Sequence, residues 1–134
     1  MKTAPDARLA FDHIHLVSKD PHAAASWYVE KLGGEIVESY DFRGAPQIVV
    51  AFSDATLIVR GERTGEQTGQ KDGLQWGIDH FGFQVCDDFE GFCDNLRKRG
   101  VKFTLEPTAF NPKTRIAFIE APDGVSVELV HYTK

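Results

Sequence analysis

Two stretches of this chain, Asp12-His13-Ile14-His15 and Asp79-His80-Phe81-Gly82, begin the same pattern 67 residues apart. At that offset Asp12 falls on Asp79, His13 on His80, Asp20 on Asp87, Gly33 on Gly100 and Ile36 on Phe103, while Val17 meets Val85 with a one-residue slip. Each histidine is thus followed by an aspartate seven residues on and a glycine twenty residues on. Several matches at one offset describe a duplicated unit, and a repeat constrains the fold more than any single motif.

The unit is readable. FDHIHLVS (11–18) and IDHFGFQVC (78–86) are short, apolar and rich in β-formers, so each predicts a strand. Asp20 followed by Pro21 supplies a helix N-cap with proline in the first turn, and Asp87 or Asp88 does so in the second unit. Ala24, Trp27, Tyr28 and Leu32 form an apolar stripe at helical spacing, as do Phe89, Phe92, Cys93 and Leu96. Gly33 or Gly34 stops the first helix and Gly100 the second, with Lys98 and Arg99 read as a solvated helix end favoured by the dipole. Three candidate strands follow each helix: EIVESYDF, PQIVVAF and TLIVRG in the first unit, KFTLEPTAF, TRIAFIEA and VSVELVHY in the second. The predicted fold is α+β, two βαβββ modules in tandem forming curved mixed sheets around a metal site, within a single domain of residues 1–134. Module one covers 10–60 and module two 78–132; residues 61–77, polar and glycine-rich apart from Leu74 and Trp76, read as a mobile linker or lid.

Composition narrows the function classes. Fifteen basic against 20 acidic residues give a net charge of −5, which argues against nucleic acid or an anionic membrane as the main partner. No run of 18 apolar residues exists, and the N-terminal residues lack the apolar stretch of a secretory signal. Cys86 and Cys93, without a CxxC spacing, read as free thiols in a reducing compartment, and the expected location is cytoplasmic.

Strand alternation sorts the polar residues. His13 shares a face with His15 and Val17, His80 with Gly82 and Gln84, and Glu128 with Ser126, Val130 and Tyr132. If each sheet curls, His13, His80 and Glu128 can face a common centre, and two imidazoles with one carboxylate suit a non-haem Fe(II) or another divalent ion. The plainer alternatives are satisfied histidines on half-buried strands and an exposed glutamate paired with a cation. His15 is either a second histidine packed beside the first or an acid–base group. Tyr132 either caps the core or hydrogen-bonds a substrate. Gln84 is a candidate polar contact; Arg115, and similarly Arg60, either hold an anionic substrate or end a strand in solvent. Trp27 and Tyr28 are assigned to the core, and Trp76 to a lid or a dimer seam.

The stretches DHIHLVSKDPHAAASWYVEKLGG, IDHFGFQV, LRKRGVKF and RIAFIEAPDGVSVELVHY resemble the vicinal-oxygen-chelate superfamily, which includes glyoxalase I, methylmalonyl-CoA epimerase, extradiol dioxygenases and bleomycin- and fosfomycin-resistance proteins. The resemblance covers residues 11–132 and is most specific at the end, where Phe118, Pro122, Gly124, Glu128 and Leu129 fit a motif F-x-x-x-P-x-G-x-x-x-E-L. It implies metal ligands at His13, His80 and Glu128, and a fourth at the end of module one, where this chain has Ile58 or Val59 instead of Glu or Gln. A remaining His-His-Glu set resembles that of the dioxygenases, with Fe²⁺ favoured and Mn²⁺, Ni²⁺, Zn²⁺ or Co²⁺ acceptable. The expected function is a ring-cleaving or keto-acid dioxygenase acting on a small molecule with vicinal oxygens. The alternatives are a glyoxalase-like lyase or isomerase with His15 as base, and a non-catalytic binding protein of the resistance type. The resemblance also implies a homodimer.

Overall fold

The computed structural model describes residues 4, 6, 8, 10–69 and 73–133. The middle of the expected linker, residues 70–72, and much of the N-terminal stretch read for a secretory signal, residues 1–3, 5, 7 and 9, lie outside them. The chain divides into two compact units, residues 1–66 and 67–134. The first runs β1 (His13–Val17), α1 (Pro21–Leu32), β2 (Glu35–Phe42), β3 (Ala45–Ala51) and β4 (Thr56–Arg60). The second runs β5 (Phe81–Gln84), α2 (Phe89–Lys98), β6 (Phe103–Asn111), β7 (Thr114–Glu120), a 3₁₀ turn at Pro122–Gly124 and β8 (Ser126–Tyr132). Both are βαβββ, and their sheets have the same order, β1-β4-β3-β2 and β5-β8-β7-β6, with the first pair parallel and the rest antiparallel.

Local chemistry sets the elements. The Asp20 carboxylate accepts from the Ala23 N–H at the start of α1, Pro21 enters the first turn, and Gly33 closes the helix with φ 77°. Asp88, not Asp87, caps α2, accepting from the Gly91 N–H. Arg43 and Gly44 both have positive φ, 53° and 88°, the geometry that a tight two-residue β2–β3 hairpin needs.

In unit one, α1 lies on the sheet through Ala24, Ala25 and Tyr28, against a face carrying Ile48, Val50, Leu57 and Val59, all buried. Trp27 and Leu32 are half-buried at the edge of this stripe, which Ala25 completes. In unit two, Arg115 and His131 reach Glu90 and Phe89 of α2. That assigns the alternating Ala117, Ile119, Val127 and Leu129, all 0% exposed, to the helix-bearing face. Each such aliphatic side chain contributes about 1.5–3 kcal/mol by leaving water. The opposite face of each sheet carries the polar candidates other than Arg115.

The first residues of the expected linker belong to unit one. The Gly61 and Thr64 N–H groups donate to the carbonyls of Pro46 and Arg43, and the Glu66 carboxylate accepts from the Arg63 N–H. The exposed apolar residues Leu74, Trp76 and Ile78 follow in unit two. Among the described residues no helix is long and apolar enough to cross a membrane.

Both cysteines are free, and their settings differ. Cys86 is exposed, whereas burial raises the Cys93 thiol to about 11. At pH 8 an alkylating reagent is expected to modify one thiol in the folded protein and both in denaturant. Peptide mapping that finds Cys93 modified first would contradict the packing of α2.

Candidate metal centre

Each Asp-His pair is a hydrogen-bonded unit. In unit one, His13 Nδ1 lies 2.6 Å from Asp12 Oδ2, and in unit two His80 Nδ1 lies 2.7 Å from Asp79 Oδ2. A carboxylate on Nδ1 places that nitrogen's hydrogen toward the aspartate and leaves the lone pair on Nε2, the arrangement by which a histidine is oriented toward a metal. The duplicated dipeptide is therefore explained by both of its members. The aspartates were not among the residues singled out from sequence, although their repetition beside each histidine was the signal.

In unit two the free edge of His80 meets a second carboxylate: His80 Nε2 lies 3.0 Å from Glu128 Oε1. The Phe118 ring stands edge-on to the imidazole, centroids 4.9 Å apart, and fixes its plane. His80 itself precedes β5 by one residue, not within it as expected. The hydrogen bond to Asp79, joined by Glu128, raises the His80 pKa against a smaller opposing effect of burial. A site that favours a proton between an imidazole and a carboxylate offers a cation two donors at the same place, so the donor chemistry fits a divalent ion. Within either unit, no group of three or more His, Cys, Asp or Glu side chains among the described residues forms a metal cage.

Strand register settles which residue of unit one corresponds to Glu128. In unit two Gly82 of β5 stands opposite Glu128 of β8, and Phe83 opposite Leu129. In unit one His15 of β1 stands opposite Ile58 of β4, and Leu16 opposite Val59. Since His15 is the repeat equivalent of Gly82, Ile58 is the equivalent of Glu128, and Val59 of Leu129. Burial agrees: Val59 and Leu129 are 0% exposed on the helix faces, while Ile58 and Glu128 are half-buried opposite. The units also exchange spacer and donor. A Cβ on Gly82 would lie 3.2 Å from the Glu128 carbonyl oxygen and 3.3 Å from its Cβ, so glycine relieves a tight approach of the two strands there; in unit one the side chain is His15 and its neighbour Ile58 is apolar.

The other candidates separate. His15 stands near His13, ring centroids 5.9 Å apart, and no protein group holds its ring among the described residues. Its pKa is lowered by burial first and then by Arg60, Arg63 and His13, which keeps it neutral at neutral pH. Gln84 and Tyr132 lie exposed on the Glu128 face, one and two rows beyond it. Arg115 is the correction: alternation from Glu128 through the β7–β8 register puts it on the helix side, where its Nε donates to Glu90 at 2.9 Å. Arg60 has its charge matched by Glu66.

Two tandem βαβββ units, each opening on an aspartate-held imidazole, define the vicinal-oxygen-chelate class. The sequence profile of the Glyoxalase/Bleomycin resistance protein/Dioxygenase superfamily matches residues 10–129, and the chain belongs to that family. Glyoxalase I of Saccharomyces cerevisiae is 26% identical over 157 aligned residues, covering 99% of this chain and 48% of the relative. The chain thus spans about half the length of that curated relative. Among solved structures, a glyoxalase family protein from Bacillus cereus superposes with TM-score 0.79 at 14% identity, covering 99% of this chain and all of that one. TnmS3, an antibiotic binding protein from Streptomyces sp. CB03234, gives 0.69 at 20% identity, covering 96% of this chain and 99% of that one. At these identities the likeness is one of fold.

Proposed function

We propose that this chain is a divalent-metal-dependent enzyme that takes His13 from unit one and His80 and Glu128 from unit two as metal donors, and that it oxygenates a small molecule with vicinal oxygens, as a ring-cleaving or keto-acid dioxygenase. The observation that supports the reading is the register by which Ile58, an apolar residue, is the repeat equivalent of Glu128, so that unit one brings no carboxylate at that position. His13, His80 and Glu128 would hold the divalent ion, Fe²⁺ favoured and Mn²⁺, Ni²⁺, Zn²⁺ or Co²⁺ acceptable, which when bound would supply Lewis-acid polarisation of substrate oxygens and the chemistry of O₂.

The chain's own residues do the rest. Asp12 and Asp79 hold the two imidazoles with Nε2 presented. His15, neutral and unheld, takes a proton from a substrate hydroxyl as the substrate binds. Gln84 and Tyr132 donate hydrogen bonds to substrate oxygens, and Phe118 shields His80 from water.

The test is O₂ uptake by the Fe(II)-loaded chain with catechols and with α-keto acids. Uptake coupled to substrate loss in the wild type, and absent in Glu128→Ala, is the expected result. Conversion of a hemithioacetal without O₂ uptake would instead support a lyase or isomerase, the reading favoured by the likeness to glyoxalase I, with His15 moving the proton. Tight ligand binding unaffected by chelators would support a binding protein, the role stated for TnmS3.

Unit one supplies one donor and unit two supplies two, so the chain is proposed to act as a homodimer in which donors are complementable. Mixing His13→Ala with Glu128→Ala chains is expected to restore metal to part of the sites if one site draws on two chains. No recovery would mean that each chain builds its own.

A further inference from the structure

Beyond the imidazoles, the sheet face of unit one that carries His13 and His15 ends in a group of cations. The row next to His15–Ile58–Val49 is Val17–Arg60–Gln47–Tyr40, paired strand to strand, so it lies about 7 Å further along the strands. Gln47, 9% exposed, donates from Nε2 to the Tyr40 hydroxyl at 2.9 Å, and its Oε1 accepts from Arg63 Nη2 at 2.9 Å. A buried amide oriented from one side by a phenol is a fixed acceptor, and it fixes the guanidinium in turn.

No carboxylate among the described residues forms an ion pair with the Arg63 side chain, although its charge helps lower the Glu66 pKa. Glu66, the nearest candidate, matches Arg60 and accepts the Arg63 backbone N–H, not its side chain. Among the described residues Arg63 forms no ion pair, its Nη1 carries no hydrogen bond, and its Nε is buried without an acceptor. The guanidinium lies over the Phe42 ring at 5.0 Å from the centroid, and Arg43 lies over the same ring at 5.1 Å. Arg43, exposed in the β2–β3 hairpin, forms no ion pair either among the described residues. Two like charges on one aromatic ring repel, and one hydrogen bond and a ring face return only part of the hydration that the half-buried Arg63 loses. A chain of net charge −5 therefore keeps two guanidinium groups without an ion pair among the described residues, Arg63 half-buried and Arg43 exposed, at the end of the face that carries His13.

We propose that Arg63, assisted by Arg43, binds a carboxylate of the substrate, which makes the substrate class anionic: a small acid whose apolar body lies along Phe42 and Val49. A planar carboxylate suits a guanidinium held by its neighbours, because the fork is already oriented before binding. The word substrate rests on the enzyme reading above; the anion site itself does not, since every residue in it belongs to unit one and none is a proposed metal donor.

Benzoate and benzamide make the probe pair, one anionic and one neutral with the same ring and shape. Both are titrated into the wild-type chain in the presence of a chelator, with the Arg side-chain Nε–H resonances followed by NMR. Benzoate is expected to bind at least tenfold more tightly than benzamide and to move the Arg63 resonance. Arg63→Met is expected to remove that preference, Arg63→Lys to keep part of it, and Arg43→Met to reduce it. Equal binding of the two probes, or a preference unchanged in Arg63→Met, overturns the proposal. The wild-type comparison needs no variant, so a poorly folding Arg63→Met cannot obscure the answer. Chelator-resistant benzoate binding with no metal uptake by the wild type would leave this site standing and defeat the metal reading, while metal uptake with equal probe binding would do the reverse.

Discussion

His80→Ala is expected to empty the chain of divalent metal, the largest effect that any single substitution here should produce. Removing the imidazole leaves Glu128 as the donor of unit two and takes away the group to which Oε1 is oriented at 3.0 Å. Loss of one of three donors should weaken binding by at least about 100-fold, whereas loss of an outer partner costs about 10–100-fold. Asp79→Ala therefore gives the graded companion: the ring stays, its Nδ1 loses the 2.7 Å partner, and metal is held more weakly but not lost. The measurement is elemental analysis of protein purified without a chelating column, followed by titration with added divalent ions. The His80 side chain is 30% exposed, so neither variant should lower the melting temperature by more than a few degrees. Near one ion per wild-type chain, reduced in Asp79→Ala and absent in His80→Ala, is the expected series. No uptake by the wild type after divalent ions are added would defeat the metal reading and leave the histidines without a metal to hold.

What the sequence made legible was whatever repeats or alternates. The offset that pairs His13 with His80 also pairs the helix-stopping glycines and comes within one residue of pairing the helix caps, so the βαβββ order follows from the repeat together with the apolar patterns. The aspartate caps were legible because a side-chain acceptor before an apolar stripe has few other uses; Asp88 prevailed over Asp87 by a single residue, which composition does not resolve. Register was not legible. A one-residue slip moves a side chain to the other face of a sheet, so Ile58 and Val59 stood equal until the pairing of His15 with Ile58 separated them. Arg115 failed for the same reason: its face follows from the β7–β8 pairing, and Glu90, which takes its charge, is 25 residues away on α2. Arg63 was invisible in another way. It sits in a polar, glycine-rich stretch with no period, and only the backbone bonds that tie residues 61–66 to unit one bring it to Gln47.

Ile58→Glu tests that register and the chemistry built on it. If Ile58 occupies the corner equivalent to Glu128, a glutamate there adds a fourth donor, raises affinity for a divalent ion by about tenfold or more, and fills a position that O₂ needs. O₂ uptake should then fall even as metal content rises, the opposite of what simple damage would do. Without metal the variant should be less stable than wild type by roughly 1–3 kcal/mol, since a half-buried carboxylate replaces an aliphatic side chain with no cation beside it. Added metal should return that stability, giving a larger metal-induced rise in melting temperature than in wild type. Val59→Glu is the control. Val59 is 0% exposed on the face that packs on α1, so its replacement should unfold unit one, and metal should not rescue it. A metal-dependent gain at position 59 with none at 58 would mean that β4 pairs one residue out of the register described, and the three-donor reading would lose its support.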